Sequence, residues 1–323
     1  MKEATARAGA NIALVKYWGK RDRRLNLPAA GSISVTLAGL ETRTTVIPDP
    51  ALKADCLLID GDEQPVERVS AVLDLIRAQA GIATFCRVES SNTFPTGAGL
   101  ASSASGFAAL VVAATHAFEL EWPAARLSEL ARRGSGSAAR SIFGGFVEMT
   151  AGEHADGSDA VARPLLEAAE WPLEVVVAVT DTASKAVSSR DGMYHTMHTS
   201  PFYPAWVASV PADLEAARDA IVRRDFERLA EVSEHSALKM HASMMAARPG
   251  LVYWNAATLA AMQRVREMRV SGCGVFFTID AGPQLKAVCL PGCGQQVAEA
   301  LSDVAGVIGI RQVGLGAGAA VLG

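Results

Sequence analysis

Excess positive charge is the first thing missing from this 323-residue chain: 30 Lys and Arg against 34 Asp and Glu leave a formal net charge of −4. That balance excludes a general nucleic-acid binder, and any anionic ligand needs a local cluster of cations. Cysteine is sparse. Cys56, Cys86, Cys273, Cys289 and Cys293 are scattered and odd in number, form no CxxC pair, and lack a nearby His in zinc-ligand spacing. They predict reduced thiols in a cytosolic protein without a structural metal. No apolar run approaches the length that crosses a bilayer, and the opening MKEATARAGANIAL lacks a signal peptide's uninterrupted apolar segment. A cytoplasmic protein engaging neither membrane nor nucleic acid is expected. Repeats and low-complexity tracts are absent too. What is present is ordinary for a globular protein, 50% hydrophobic and 20% charged, and long enough for two domains with their own cores.

Hydrophobic periodicity sketches the elements. TARAGANIALVKYW reads as an early strand, and GSISVTLAGLETRTTVIP as two strands around a short turn, a hairpin. Val66, Val69, Leu73 and Ile76 have helical spacing, TFCRVES returns to strand, and residues 99–120 carry a long apolar helix. LSELARRG is a shorter helix stopped by Gly134, FGGFVEM a strand, and GEHADGSDA a polar loop. LEVVVAVTD is a continuous apolar run, the pattern of a strand covered on both faces. A domain boundary is expected just before it, near residue 172, dividing the chain into 1–172 and 173–323. Helices around 211–224, 226–246 and 255–268, the strand GVFFTID, a helix near 295–303 and a strand near 306–313 follow. The end, GLGAGAAVLG, is expected to be loosely ordered. The class is α/β or α+β in two parts.

Four segments carry possible chemistry. In NTFPTGAGLASSASGFAAL, Gly and Ser crowd the start of the long helix. A helix N-terminus favours an anion, and bare glycines with added hydroxyls suit a phosphate. The same segment also reads as a tightly packed helix with a Ser cap. It is not a Walker A loop, because no Gly-Lys-Ser/Thr ends it. NIALVKYWGKRD sets Lys16 and Lys20 beside aromatic residues, either a pocket for a polyanion or a surface edge. RRGSGSAARSIFGGF joins a hydroxyl-rich turn to Arg140, able to clamp a carboxylate or simply to follow a helix cap. GVFFTIDAGP runs a strand into Asp280, which reads alone as a turn residue.

Together with VSSRDGM and LKMHAS, these segments resemble, in order and spacing over residues 10–286, the diphosphomevalonate decarboxylases of the GHMP kinase superfamily. The resemblance implies a two-domain fold. The first domain is like ribosomal protein S5 domain 2 and carries a phosphate-binding loop at 97–106. The second is ferredoxin-like, carries Asp280, and leaves the active site in the cleft between. It implies ATP-dependent decarboxylation of mevalonate 5-diphosphate to isopentenyl diphosphate, with the 3-hydroxyl phosphorylated first so that phosphate can leave. Asp280 is then the catalytic carboxylate, Lys16 its partner, Arg140 the residue fixing the substrate carboxylate, and Ser137 a neighbour of the reacting hydroxyl. Tyr17, Trp18, Gly19, Lys20, Arg68, Ser188, Ser189 and Arg190 correspond to substrate-holding positions, with Ser135, Gly136, Ala138 and Ala139 forming the wall beside Ser137. Gly97, Ala98, Gly99, Leu100 and Ala101, then Ser102, Ser103, Ser105 and Gly106, would cradle ATP. Mg²⁺ would be carried with the nucleotide, Ser103 being its possible protein ligand, and the enzyme would be a homodimer.

His195, His198 and His241 are read without a direct chemical role, Met193, Met240, Met244 and Met245 as packing, and residues 21–24 as solvated charge. The chain departs from the family's Leu-Pro-x-Asn-x-Ser segment at Ala30, which leaves the substrate's phosphorylation state open, and Ala139 replaces a small cysteine. A mevalonate 3-kinase, a phosphomevalonate decarboxylase and a non-catalytic sensor of a phosphorylated ligand are the alternatives.

Overall fold

Strand β1 (Ala4–Val15) shows in its burial why it is central: its first residues alternate buried and half-buried, and its last eight are buried on both faces. The computed structural model describes residues 1–94, 102–183 and 186–323. A small ribbon of β2 (Lys20–Asp22) and β3 (Leu27–Pro28) follows, then the 17-residue β4 (Ser32–Pro48). The expected hairpin over this last segment is not formed. One strand pairs with β1 along its whole length, from Val46 opposite Ala4 to Ile33 opposite Val15. The reason is Gly39, whose φ of 71° produces a bulge between two registers, Gly9 with Glu41 and Asn11 with Thr36. The chain bends there without reversing.

The bend lets β4 serve two partners on its other edge. After β5 (Cys56–Ile59), β6 (Asp62–Glu63) and helix α1 (Glu67–Ala80), strand β7 (Cys86–Asn92) pairs with its far half. After α2 (Ser102–Ala117), α3 (Ala124–Gly134) and a 3₁₀ turn over Gly136–Ile142, β8 (Phe146–Met149) pairs with its near half, and β9 (Ala162–Leu166) with β8. Helix α2 is apolar almost all round and lies buried against this sheet, its Ala and Val side chains packed with α1 and α3.

The second sheet begins with β10 (Glu174–Val179), buried as its continuous apolar run predicts. Helices α4 (Ser189–Thr199), α5 (Tyr203–Arg223), α6 (Phe226–Met245) and α7 (Ala256–Val270) precede β11 (Val275–Ile279) and β12 (Leu285–Cys289). Helix α8 (Gly294–Ser302) leads to β13 (Gly309–Gly314). The antiparallel order β11-β12-β10-β13 is the ferredoxin-like arrangement. Helix α5 begins well before the expected residue 211, because Pro211 sits inside it instead of opening it. The glycine-rich end is ordered, in contrast to expectation: Gly316 closes on the backbone of Leu37, and β14 (Ala320–Leu322) pairs with β1. A glycine is needed there because a Cβ at 316 would strike the Leu37 carbonyl.

One apolar cluster ties the two sheets together. It contains Ile12 and Leu14 of β1, Val175 and Val177 of β10, Trp206 of α5, Leu229 of α6 and Phe276 of β11. The ends of β1 and β11 are therefore held in fixed relation. Among the described residues no helix is long and apolar enough to cross a membrane.

Candidate active site

Where β1 and β11 end, the chain changes from apolar to ionic: Val15 is followed by Lys16, and Ile279 by Asp280. The Ala13 carbonyl joins the two ends, accepting from Lys16 Nζ at 2.8 Å and from Thr278 Oγ1 at 2.9 Å. Lys16 Nζ then donates to Asp280 Oδ1 at 2.7 Å, 264 residues away in sequence. Lys286 on β12 stands 3.4 Å from the other oxygen, Oδ2, and both ammonium-bearing side chains are 1% exposed. Burial alone would raise the Asp280 pKa. The two lysine charges outweigh it and hold the carboxyl well below the usual range. Burial lowers Lys16 to about 8, against the opposing pull of Asp280.

Arg140, on the 3₁₀ turn, enters the same cleft from the first sheet. Its Nε donates to Ser34 Oγ at 2.9 Å and its Nη1 to Ser32 Oγ at 2.6 Å. Asn11 is aimed at it by donating its own amide to the Ser137 carbonyl and Ser141 Oγ. Burial brings the Arg140 guanidinium down to about 10, with Asp280 and Tyr17 pulling the other way.

At one end of the cleft lie Lys20, Arg68 and Arg190. Partial burial and the charges of Arg190, Arg68 and Arg23 lower Lys20 to about 8, the mark of a cation cluster that an anion would relieve. Ser188 caps α4, accepting from the Asp191 N–H, so the positive end of that helix and Arg190 face the same space. The Tyr17 hydroxyl is buried without a hydrogen-bond partner among the described residues, and a Cβ at Gly136 would collide with it. Toward the start of α2, a chain of hydroxyls links Ser103 to Ser135 at 3.3 Å and Ser135 to Ser137 at 3.5 Å. The cleft has a volume of about 620 Å³.

Most of the expected residues therefore line one cleft: Lys16, Tyr17, Trp18, Lys20 and Arg68, then Ser102, Ser103, Ser135, Gly136, Ser137 and Arg140, and finally Ser188, Ser189, Arg190 and Asp280. Others do not. Ser105 is buried, and its hydroxyl is paired with Thr42 Oγ1 at 2.6 Å, so it braces α2 against β4 instead of facing a phosphate. Gly106, one residue further into the helix, is half-buried and not among the lining residues. Ala138 and Ala139 turn into the apolar cores behind the wall. Gly19 sets the turn, with φ 88° and the Tyr203 hydroxyl packed where a side chain would be. Gly97, Ala98, Gly99, Leu100 and Ala101 lie outside the described residues.

Asn11, Asp191 and Lys286 were not singled out in the sequence. Asn11 was visible as a lone amide in the fully apolar half of a strand. Lys286 is hidden in the sequence within LKAVC, a short and mostly apolar run. Met193 and Met240, read as packing, also line the cleft. Arg21, Arg23 and Arg24 are exposed as expected, and the Arg23 guanidinium lies 4.2 Å over the Tyr194 ring.

Comparison with known proteins shows the family. Residues 8–162 match the diphosphomevalonate decarboxylase-like N-terminal domain, and residues 175–307 the mevalonate 5-diphosphate decarboxylase C-terminal domain. The diphosphomevalonate decarboxylase of Aspergillus fumigatus is 40% identical over 304 residues, covering 87% of this chain and 75% of that one. The chain belongs to the diphosphomevalonate decarboxylase family. The human diphosphomevalonate decarboxylase is 37% identical over 301 residues, covering 86% of this chain and 74% of its own. The mevalonate diphosphate decarboxylase of Staphylococcus aureus superposes with a TM-score of 0.93 at 38% identity, covering 100% of this chain and 98% of that one. A solved structure described as MDDEF in complex with MVAPP, AMPPCP and magnesium gives 0.92 at 40% identity, with 99% of each chain covered.

Within the family frame, two details of this decarboxylase-like cleft follow. Ala30 is buried in the shared core at 8% exposure and is absent from the lining. Among the described residues no group of three or more His, Cys, Asp or Glu side chains is gathered to cage a metal ion. The cleft's oxygens are mainly hydroxyls, which fit a hard cation arriving with phosphates better than a resident one.

Proposed function

We propose that this chain catalyses the ATP-dependent decarboxylation of mevalonate 5-diphosphate to isopentenyl diphosphate, ADP, phosphate and carbon dioxide, as a carboxy-lyase of isoprenoid biosynthesis. The observation that carries the reading is the 2.7 Å Lys16–Asp280 pair in one cleft with Arg140 and Ser103. Family membership supports it, as do relatives named for this activity.

The chemistry follows from charge. Lys20, Arg68 and Arg190, with the start of α4, take the substrate's diphosphate. Arg140 takes its carboxylate through a planar, doubly donating guanidinium. The tertiary 3-hydroxyl then lies over Asp280, which accepts its hydrogen bond, orients the oxygen toward the γ-phosphorus and receives its proton as the new bond forms. Lys16 keeps Asp280 ionised and offsets charge on the transferred phosphoryl group. Ser102 and Ser103, with residues 97–101 before them, hold the nucleotide phosphates. Mg²⁺ arriving with ATP would supply charge neutralisation to those phosphates, and Ser103 is the side chain that would hold it. Phosphorylation converts hydroxide, a poor leaving group, into phosphate, and loss of carbon dioxide provides the electron pair for the new double bond.

The same reading divides the chain into a nucleotide-binding unit, 1–172, and a unit, 173–323, that contributes Asp280, with the terminal strand returning to the first. The resemblance supports a cytoplasmic homodimer. Parallel assays with mevalonate, its 5-phosphate and its 5-diphosphate test the substrate: turnover is expected only with the last, and preference for either of the others would replace this reading.

A further inference from the structure

Asp280 is bound by one more lysine than charge pairing needs. Lys16 alone neutralises the carboxylate, yet Lys286 is buried to the same 1% and reaches the second oxygen at 3.4 Å. Burying an additional ammonium is costly, so a purely structural strand would be served better by an apolar side chain. The register explains how it gets there. Lys286 lies directly opposite Thr278, and Asp280 is two residues further along, so both face the same side of the sheet as diagonal neighbours. Lys16 approaches Oδ1 from the end of β1, Lys286 approaches Oδ2 from β12, and the carboxylate is fixed at both oxygens.

We propose that Lys286 is a positioning residue for the reaction: it fixes the plane of the Asp280 carboxylate and leaves the three groups with a net positive charge beneath the reacting oxygen. Two ammonium groups and one carboxylate sum to +1, a field suited to the charge that builds on the alcohol oxygen and the transferred phosphoryl group. Among the described residues, the remaining charged or titratable groups near Asp280 are Arg140, from the 3₁₀ turn, and His241, from α6. His241 Nε2 lies 3.3 Å from both the Ile279 carbonyl and Trp254 Nε1, and burial lowers its pKa to about 3, so it stays neutral. Lys286 is therefore the second cation that acts on the carboxylate at contact distance. The proposal rests on the decarboxylase reading given above.

Lys286→Met, Lys286→Gln and Lys286→Arg test it beside the wild type. In the Met and Gln variants kcat should fall roughly tenfold to a hundredfold, the effect of a loosened catalytic group, while KM for both substrates changes by less than about threefold. The acid limb of the pH profile should move to higher pH, and Lys286→Arg should restore it. ¹³C NMR of the Asp280 carboxyl should show the same upward shift without turnover. A wild type that releases no carbon dioxide would sink the functional reading, and this titration would still decide the proposal. Folded Met and Gln variants with an unmoved acid limb and carboxyl titration would overturn it, whatever their rate. Loss of the fold in both would make the lysine a structural strut and overturn it too.

Discussion

Asn11 Oδ1 accepts from two nitrogens of one guanidinium, Arg140 Nε at 3.3 Å and Nη2 at 3.0 Å. The other acceptors of Arg140, Ser32 and Ser34, are neutral as well. A cation 2% exposed and bonded to neutral groups favours an anionic visitor. Removing Asn11 frees the guanidinium to turn. Asn11→Ala is expected to lower kcat/KM about tenfold to a hundredfold, the loss of a hydrogen bond to a charged group worth about 1.5–3 kcal/mol. Steady-state kinetics alongside a thermal melt reads it, and an unchanged kcat/KM would detach Asn11 from the site.

Asp280→Asn separates binding from chemistry. The amide keeps the size of the side chain but removes the proton acceptor. Dissociation constants for substrate and nucleotide should stay within a few-fold, while the rate falls about 10²–10⁴-fold. Calorimetry and a carbon dioxide assay on the same preparation give both numbers. Normal turnover would remove Asp280 from the mechanism.

The alkaline limb should belong to lysines. Lys16 and Lys20 are both lowered to about 8, Lys16 by burial and Lys20 by burial and its arginine neighbours. Below that pH each carries its proton and its charge. Above it each becomes neutral, so kcat/KM should fall as pH rises through about 8, steeper than a single ionisation. Lys20→Arg keeps one charge at high pH and should leave the slope of one proton. A flat profile to pH 10 would contradict both assignments.

Gly19 joins fold to site. Its φ of 88° is open to glycine, and a Cβ would collide with the Tyr203 hydroxyl. Gly19→Ala should destabilise the protein by about 1–3 kcal/mol and raise KM, because Lys20 follows directly. Denaturant melts and kinetics would show the two effects together.

A site remote from the cleft serves as the contrast. Arg77 donates to Asp55 through both terminal nitrogens, at 2.9 and 2.8 Å, and the Cys86 N–H adds a third bond at 2.8 Å. Burial raises the Asp55 pKa, but these bonds win and hold it below the usual value. Its contribution is therefore present above the unfolded pKa of about 3.9 and is lost as pH falls through the lower folded value. Asp55→Asn should cost about 3–5 kcal/mol at neutral pH, read by denaturant melts, and leave kcat/KM of the folded protein unchanged.

The sequence was most legible where one signal acted alone. The apolar run before Asp181 became the buried β10, and the spacing of Val69, Leu73 and Ile76 became the inner face of α1. It was misleading where a glycine had two meanings. The turn expected within GSISVTLAGLETRTTVIP is a bulge at Gly39, and the glycines near 316, expected to be loose, permit close backbone contact. The ionic residues were visible one by one, each with an ordinary alternative. Their meeting depends on a contact between residues 16 and 280 that no local pattern encodes. Ser105 shows the converse: a serine in the right motif, turned by helical geometry toward Thr42.

Simultaneous measurement of ADP and carbon dioxide released from ATP and mevalonate 5-diphosphate is the most direct test that one cleft performs both halves of the reaction. Equal amounts of the two products, with both lost together in Asp280→Asn, are predicted. ADP formed without carbon dioxide, or carbon dioxide released without ATP, would contradict the account.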